Sequence, residues 1–258
     1  VAQLPEWLNG MKNPKDRIVQ LCNAILDFRF DLDVLCFQEL FSDTARTLAQ
    51  QILSARYPHS VVDNHSGKLL FGVNSGLAVF SRIPIVEHHW MEYDTKRNVD
   101  LMSRKGGLCV KLQPTSLSYP VYVTTTHMQA GGDHEACCCC NAFSASAADI
   151  KVEQLEQLSK FTAKHVTEPG VSLMCGDFNM TPRENPLTHL RRYFPDARDP
   201  FNAHATSYAY TVSDNKRIDY TFVLGAPAHI SSRSTIEDLQ GFTLTDHRPV
   251  VLELRLHG

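Results

Sequence analysis

The chain has 258 residues, 43% hydrophobic and 21% charged, enough apolar content to bury a core without disulfide or metal staples. Its net charge of −3 and isoelectric point of about 6.5 argue against a domain that binds by neutralising nucleic-acid phosphates, so no nucleic-acid partner is expected. No run is long enough to span a membrane as a helix.

The first periodic segment, "NPKDRIVQLCNAILDFRF", carries Ile18, Leu21, Cys22, Ile25 and Leu26 at helical spacing after Asn13-Pro14. A short apolar run, "DLDVLCFQEL", ends on Glu39, and a second helix is predicted over "DTARTLAQQILSAR" from Asp43. Strands are predicted at "HSVVDN", "SGLAVFSR", "PIVEHHWMEY", "GGLCVKLQ" and "VYVTTTHM", with Gly and Pro between them. A long amphipathic segment, "SAADIKVEQLEQLSKFTAKHV", presents Ile150, Leu155, Leu158 and Phe161. Then come the apolar run "VSLMCGDFN", a short helix near "PLTHLRRYF", and the strands "RIDYTFVLG" and "PVVLELRL". Helices mixed with many strands, often joined by short turns, imply two mostly antiparallel sheets packed face to face with helices outside. No glycine-rich phosphate loop appears, and with no repeat and no low-complexity linker apart from the cysteine run, a single domain over residues 1–258 is expected.

Of the eight cysteines, Cys137–Cys140 are consecutive, which suits neither a disulfide framework nor a tetrahedral zinc site. Soft-metal ligands, a lipidated or redox-active loop and a variable insertion without a role are the three readings, and the insertion ranks first. Cys22, Cys36, Cys109 and Cys175 lie in apolar patterns as small hydrophobes, which points to a reducing compartment.

The informative pattern is polar. Five separated strands each present an acid, amide or imidazole at an end: Glu39; His127; Asp177 with Asn179; Asp219; and Asp246 with His247. A single polar strand end is ordinarily a solvated terminus or a turn, because Asp and Asn favour turns. Five together fit a site, where perturbed acid–base groups gather. Glu39 offers the hard oxygen that suits Mg²⁺ or Mn²⁺. His247 is a general-base candidate near neutral pH, with Asp219 or Asp246 to orient it, and His127 a donor to developing charge. Asn179 can donate to a phosphoryl oxygen while staying neutral. Together these types suit metal-assisted attack of water on a phosphodiester.

These motifs resemble the endonuclease/exonuclease/phosphatase superfamily, in order, from "FQEL" to "TDHRPV". Within it, "NSGLAVFSRIPI", "DLMSRKGGLCVKL", "THMQA", "CGDFNM", "RIDYTFV" and "TDHRPVVLEL" resemble the neutral sphingomyelinase branch. The resemblance implies a four-layer α/β sandwich and Mg²⁺-dependent hydrolysis of sphingomyelin to ceramide and phosphocholine, with Mn²⁺ as a substitute. It implies that Glu39 and Asp246 serve the metal, His247 activates water and Asp219 orients His247. It further implies that Asp177 positions nucleophile or leaving group, that Asn179 holds the phosphoryl group with Asn74 near the phosphate, that His127 stabilises the transition state, that Lys105 and His127 also contribute to substrate binding, and that the Asp100–Lys105 pair helps switch the site on. For Lys105 an ordinary surface lysine is the competing reading. The branch carries a metal-binding Asn on its first strand. Here "VAQLPEWLNG" resembles the segment downstream of that Asn, so most of the strand is expected to be missing, and neither Asn9 nor Asn13 takes its role.

A sphingolipid substrate at a membrane surface is the expected partner, with an intracellular, membrane-peripheral location. Leu69–Val73 or Trp90–Met91 are contact candidates, though each fits a core or edge position as well. A nuclease or abasic-site endonuclease shares the same site residues but calls for a basic, aromatic-interleaved groove, and 25 basic residues stand against 28 acids. An inositol-phosphate phosphatase and an inactive binding fragment are the remaining alternatives.

Overall fold

The computed structural model describes residues 14–64, 74–96, 100, 103–131, 146–201, 208–240 and 244–256. Asn9 and Asn13, the contact candidate Leu69–Val73 and the Cys137–Cys140 run lie outside the described residues.

Helix α1 (Pro14–Leu26) buries Ile18, Leu21 and Cys22, and helix α2 (Asp43–Leu53) buries Ala45, Ala49 and Leu53. Both show the i, i+3/i+4 spacing of one apolar face. Ser42 caps α2 by accepting from the Ala45 amide at 3.4 Å. The two helices pack on the outer face of strands β1 (Val34–Phe37) and β3 (Ala78–Ser81) through Leu35, Phe37 and Phe80. β3 lies between β1 and β2 (His59–Val62), antiparallel to both.

The second sheet has five strands in the order β4 (Ile85–Glu92), β5 (Gly106–Leu112), β6 (Val121–His127), β7 (Val171–Asp177) and β8 (Asp219–Gly225). All pairings are antiparallel except β6–β7, whose crossover carries helix α3 (Ala147–His165). Helix α3 starts with a capping box between Ser146 and Asp149. It buries Ile150, Leu155 and Leu158, the last two against Met174, Tyr220 and Phe222, with the short helix α4 (Pro186–Leu190) beside it. A hairpin of β9 (Ile230–Ile236) and β10 (Val250–Leu256) completes the strands.

The inter-sheet core draws on both sides: Leu77 and Val79 from β3 and its lead-in, Ile230 from β9, and Leu108, Val110, Leu112, Val123 and Val171 from the five-stranded sheet. The layers are therefore helices, sheet, sheet, helices, the sandwich implied by the alternation of elements. β9 departs from expectation. Its sequence, ISSRSTI, alternates around serines, yet Ser234 is buried and accepts a hydrogen bond from Thr221 at 2.9 Å. A polar pair inside the sheet hides the strand from apolar counting. Predicted helix 13–30 stops at Leu26 in the described chain, and 186–194 keeps only Pro186–Leu190 in α-helix.

Candidate active site

Sheet register assembles the centre of the site. His127, the last residue of β6, pairs with Asp177, the last of β7, and Asp177 pairs with Asp219, the first of β8. Three chain-distant polar residues thus occupy one row across adjacent strands, and side chains in one row share a face. Gly176 makes this approach possible. It lies at φ +129°, and a Cβ there would sit 2.1 Å from the Thr126 carbonyl oxygen.

His247 reaches the row from the loop before β10. Its Nδ1 lies 2.8 Å from Asp219 Oδ2. Thr211, fully buried, ties the two segments: its hydroxyl accepts from the Ile218 and Asp219 amides at 3.1 and 3.3 Å, and its carbonyl accepts from the Arg248 amide at 2.7 Å. Burial of His247 disfavours the imidazolium, but the Asp219 charge and hydrogen bond, with Asp177 and Asp246, outweigh it and push the pKa up to about 10. Burial, then the adjacent Asp219 charge, push Asp177 up to about 7. Asp246 is exposed and acts on His247 through its charge.

Asn179 follows in a left-handed backbone conformation, φ +49°. Its amide nitrogen donates to Asp177 Oδ1 at 2.8 Å, and its side-chain nitrogen donates to the Met128 carbonyl at 3.1 Å and reaches Asp177 Oδ2 at 3.3 Å. Opposite stands Glu39, also left-handed at φ +59°. Such a conformation costs a non-glycine residue free energy and persists where surroundings fix it. Here Leu40 donates to the Gly76 carbonyl at 2.9 Å, and Asn74 bridges the same loop, donating to the Phe41 carbonyl and accepting from Gly76, both at 2.8 Å. Asn74, expected to hold phosphate, thus uses these hydrogen bonds to shape the Glu39 turn.

His127 Nε2 lies 3.8 Å from Glu39 Oε1 and 3.6 Å from Asp177 Oδ2, beyond hydrogen-bond reach of either and facing both. Burial, reinforced by Lys105 and His247, lowers its pKa well below the usual histidine range, so it is neutral. Its buried Nδ1 has no hydrogen-bond partner among the described residues. An orphaned lone pair costs less than an orphaned N–H, so we assign the proton to Nε2, aimed at the carboxylates.

Lys105 is not a surface lysine. It is 3% exposed, 3.0 Å from Asp100 and 2.9 Å from the Met128 carbonyl, while Asp100 also accepts from the Ala130 amide at 2.8 Å. The pair clamps the 128–130 segment, on which Asn179 also rests. Trp90 and Met91 are half-buried and pack against the two inner clusters, so both are edge-of-core residues.

Sequence reading missed Lys151. On α3 its Nζ donates to the Asn179 carbonyl at 2.8 Å and to Glu184 at 2.5 Å, and Glu184 accepts from the Thr181 amide at 2.7 Å. The signal was available: Lys151 and Gln154 fall on the stripe of 147, 150, 155 and 158 that faces the sheet.

A hard divalent cation fits the donor set. Glu39 is half-buried and Asp246 exposed, and carboxylate oxygens are the donors such a cation takes. Asp177, Asp219 and His247 offer ligand atoms within 4.8 Å of one another, but Asp219 holds His247 Nδ1, so that trio reads as proton-handling machinery. Cys36 and Cys175 sit earlier on β1 and β7, short of the strand ends that carry these oxygens.

The model of the "Endonuclease/Exonuclease/phosphatase family" matches residues 4–247. Sphingomyelin phosphodiesterase 5 of Danio rerio is 28% identical over 197 residues, 67% of this chain and 33% of that protein. Sphingomyelin phosphodiesterase 3 of Homo sapiens is 28% identical over 187 residues, 67% of this chain and 28% of that protein. The chain thus spans about a third of the length of the curated relatives it matches. A solved structure of a beta toxin mutant from Staphylococcus aureus with bound magnesium ions superposes with a TM-score of 0.76 at 16% identity, covering 99% of this chain and 96% of that one, a likeness of fold.

Proposed function

The chain belongs to the endonuclease/exonuclease/phosphatase family, and we propose that it is a divalent-metal-dependent phosphodiesterase that hydrolyses sphingomyelin to ceramide and phosphocholine. The observation that carries the reading is the row His127–Asp177–Asp219 with His247 Nδ1 held 2.8 Å from Asp219. The choice of lipid is supported by the names of the curated relatives.

In this reading the His247 Nε2 takes a proton from the attacking water, and Asp219 fixes the tautomer and stabilises the imidazolium that forms. Asp177, pushed up to about 7, exchanges a proton near neutral pH, and in this reading it positions the nucleophile or serves the leaving ceramide oxygen. Neutral His127, through Nε2–H, and the Asn179 side-chain amide donate to phosphoryl oxygens as charge grows on them. Glu39 and Asp246 would hold the cation, Mg²⁺ with Mn²⁺ as substitute. When bound, such a cation polarises the phosphoryl group and offsets the carboxylate field that keeps His247 protonated. The substrate presents at a lipid surface, so the protein works there.

The test is phosphocholine release from sphingomyelin in mixed micelles, with Mg²⁺ and with chelator. Release that needs the cation and is lost in His247→Ala supports the reading. Cleavage of abasic duplex with no phosphocholine release replaces it with the nuclease alternative.

A further inference from the structure

One step further into the sheet from the row His127–Asp177–Asp219 runs a second row, Thr125–Cys175–Thr221, in the same register. Residues two apart on a strand share a face, so the two rows stand one behind the other. Both ends of the second row are hydrogen-bonded to segments outside the five-stranded sheet. Gln38, just beyond β1, donates through Nε2 to Thr125 Oγ1 at 3.0 Å, and Thr221 donates to Ser234 on β9 at 2.9 Å. Thr125 and Ser234 are fully buried.

Glu39 and His127 come from different sheets. Backbone pairing fixes β1 against β3, and β6 against β5 and β7, but among the described residues no strand pairing joins β1 to β6. The packing between the two sheets is apolar. Apolar contact is non-directional, so it holds the layers together without fixing which strand end stands opposite which. Gln38 directly precedes Glu39, and Thr125 lies two residues before His127 on the same face of β6. Their hydrogen bond is directional and partly shielded from water. It closes just behind the 3.8 Å gap between Glu39 Oε1 and His127 Nε2.

We propose that Gln38 is a positioning residue: through Thr125 it sets the gap between Glu39 and His127, and with it turnover. The inference rests on the proposed function, in which Glu39 holds the cation and His127 donates to the phosphoryl group. A misplacement near 1 Å in such a constellation costs about 10²-fold in rate, so a partial slip after loss of this bond is expected to cost about tenfold.

The experiment compares Gln38→Met, Thr125→Val, the double variant and Thr125→Ser in the whole chain. Ser234→Ala serves as control, since it removes the buried hydrogen bond at the other end of the same row. Phosphocholine release from mixed micelles gives kcat and KM, and a Mg²⁺ titration gives the concentration for half-maximal turnover. Gln38→Met and Thr125→Val are each expected to lower kcat about tenfold, with KM little changed and the Mg²⁺ requirement raised. The double variant is expected to be no slower than the slower single one, because all three lose the same bond. Thr125→Ser keeps the acceptor oxygen and retains most of the rate. Ser234→Ala lowers the unfolding midpoint and leaves the Mg²⁺ requirement unchanged. Additive losses in the double variant overturn the proposal, as does unchanged kcat in a folded Gln38→Met chain or a Mg²⁺ requirement raised equally by Ser234→Ala. An unaltered chain that releases no phosphocholine rejects the proposed function instead. Imidazole NMR then decides the positioning. The His127 ring signals, identified by their absence in His127→Gln, are expected to shift in Gln38→Met, and unshifted signals overturn the proposal.

Discussion

Asp177 and Asp219 stand directly opposite each other at the ends of β7 and β8, and His247 closes on them with Nδ1 2.8 Å from Asp219. Two buried carboxylates cannot both ionise cheaply, so one carries a raised pKa and the imidazole beside them stays charged. That arrangement lets a folded sheet end handle protons.

His247→Ala removes the base and is expected to lower turnover by about 10²–10⁴-fold with the fold retained. Asp219→Asn, which leaves the imidazole without its anionic partner, is expected to fall in the same direction. Phosphocholine release beside circular dichroism checks both, and full turnover in a folded His247→Ala chain contradicts the role.

The same pair gives a pH signature in chelator. The folded His247 pKa of about 10 lies above its ordinary 6.5, so its stabilisation is complete below 6.5 and is lost as pH rises towards 10. Asp177 is raised to about 7, so its ionisation also erodes stability, between its ordinary 3.8 and 7. His127, depressed by burial, acts oppositely and gains stability with rising pH up to 6.5. Between pH about 7 and 8.5 His247 dominates. Urea unfolding is expected to show stability falling across that window, and His247→Gln to flatten it.

Glu39→Gln keeps the shape of the turn and removes one anionic oxygen. The Mg²⁺ concentration for half-maximal turnover is expected to rise at least tenfold, and calorimetry of Mg²⁺ binding to weaken in parallel. An unchanged Mg²⁺ requirement removes Glu39 from the metal site.

Lys151→Met strips two hydrogen bonds from a lysine 4% exposed and leaves Glu184 without its cation. The expected cost is about 1–3 kcal/mol, because Glu184 keeps its Thr181 partners and some solvent. Turnover should drop more than substrate affinity, since the Asn179 carbonyl loses its anchor. Lys151→Arg should recover part of the rate.

Leu158→Ala tests the scaffold away from the chemistry. Leu158 is fully buried between α3 and β5, close enough to Gly107 that a Cβ there would lie 2.6 Å from its Cδ1. A loss of about 2–5 kcal/mol is expected in denaturant unfolding, with little change in turnover while the chain remains folded.

What the sequence by itself determined is the set of parts. Alternation and helical spacing mark the sheets and their covering helices, because one-sided burial leaves a period of two or 3.6. Polar types at strand ends mark Glu39, His127, Asp177, Asn179, Asp219, Asp246 and His247, because such groups at the edge of a core are costly without a purpose. Only the tertiary structure decided how the parts meet. The parallel pairing of β6 with β7 puts His127 beside Asp177, and burial decides between two readings of Lys105 by making it a clamp paired with Asp100. Lys151 becomes the anchor of Asn179. The contacts of Lys105 with Met128, Lys151 with Asn179 and His127 with Asp177 join residues 23 to 50 positions apart, and their register and burial are set by how sheets pack, which no local periodicity records.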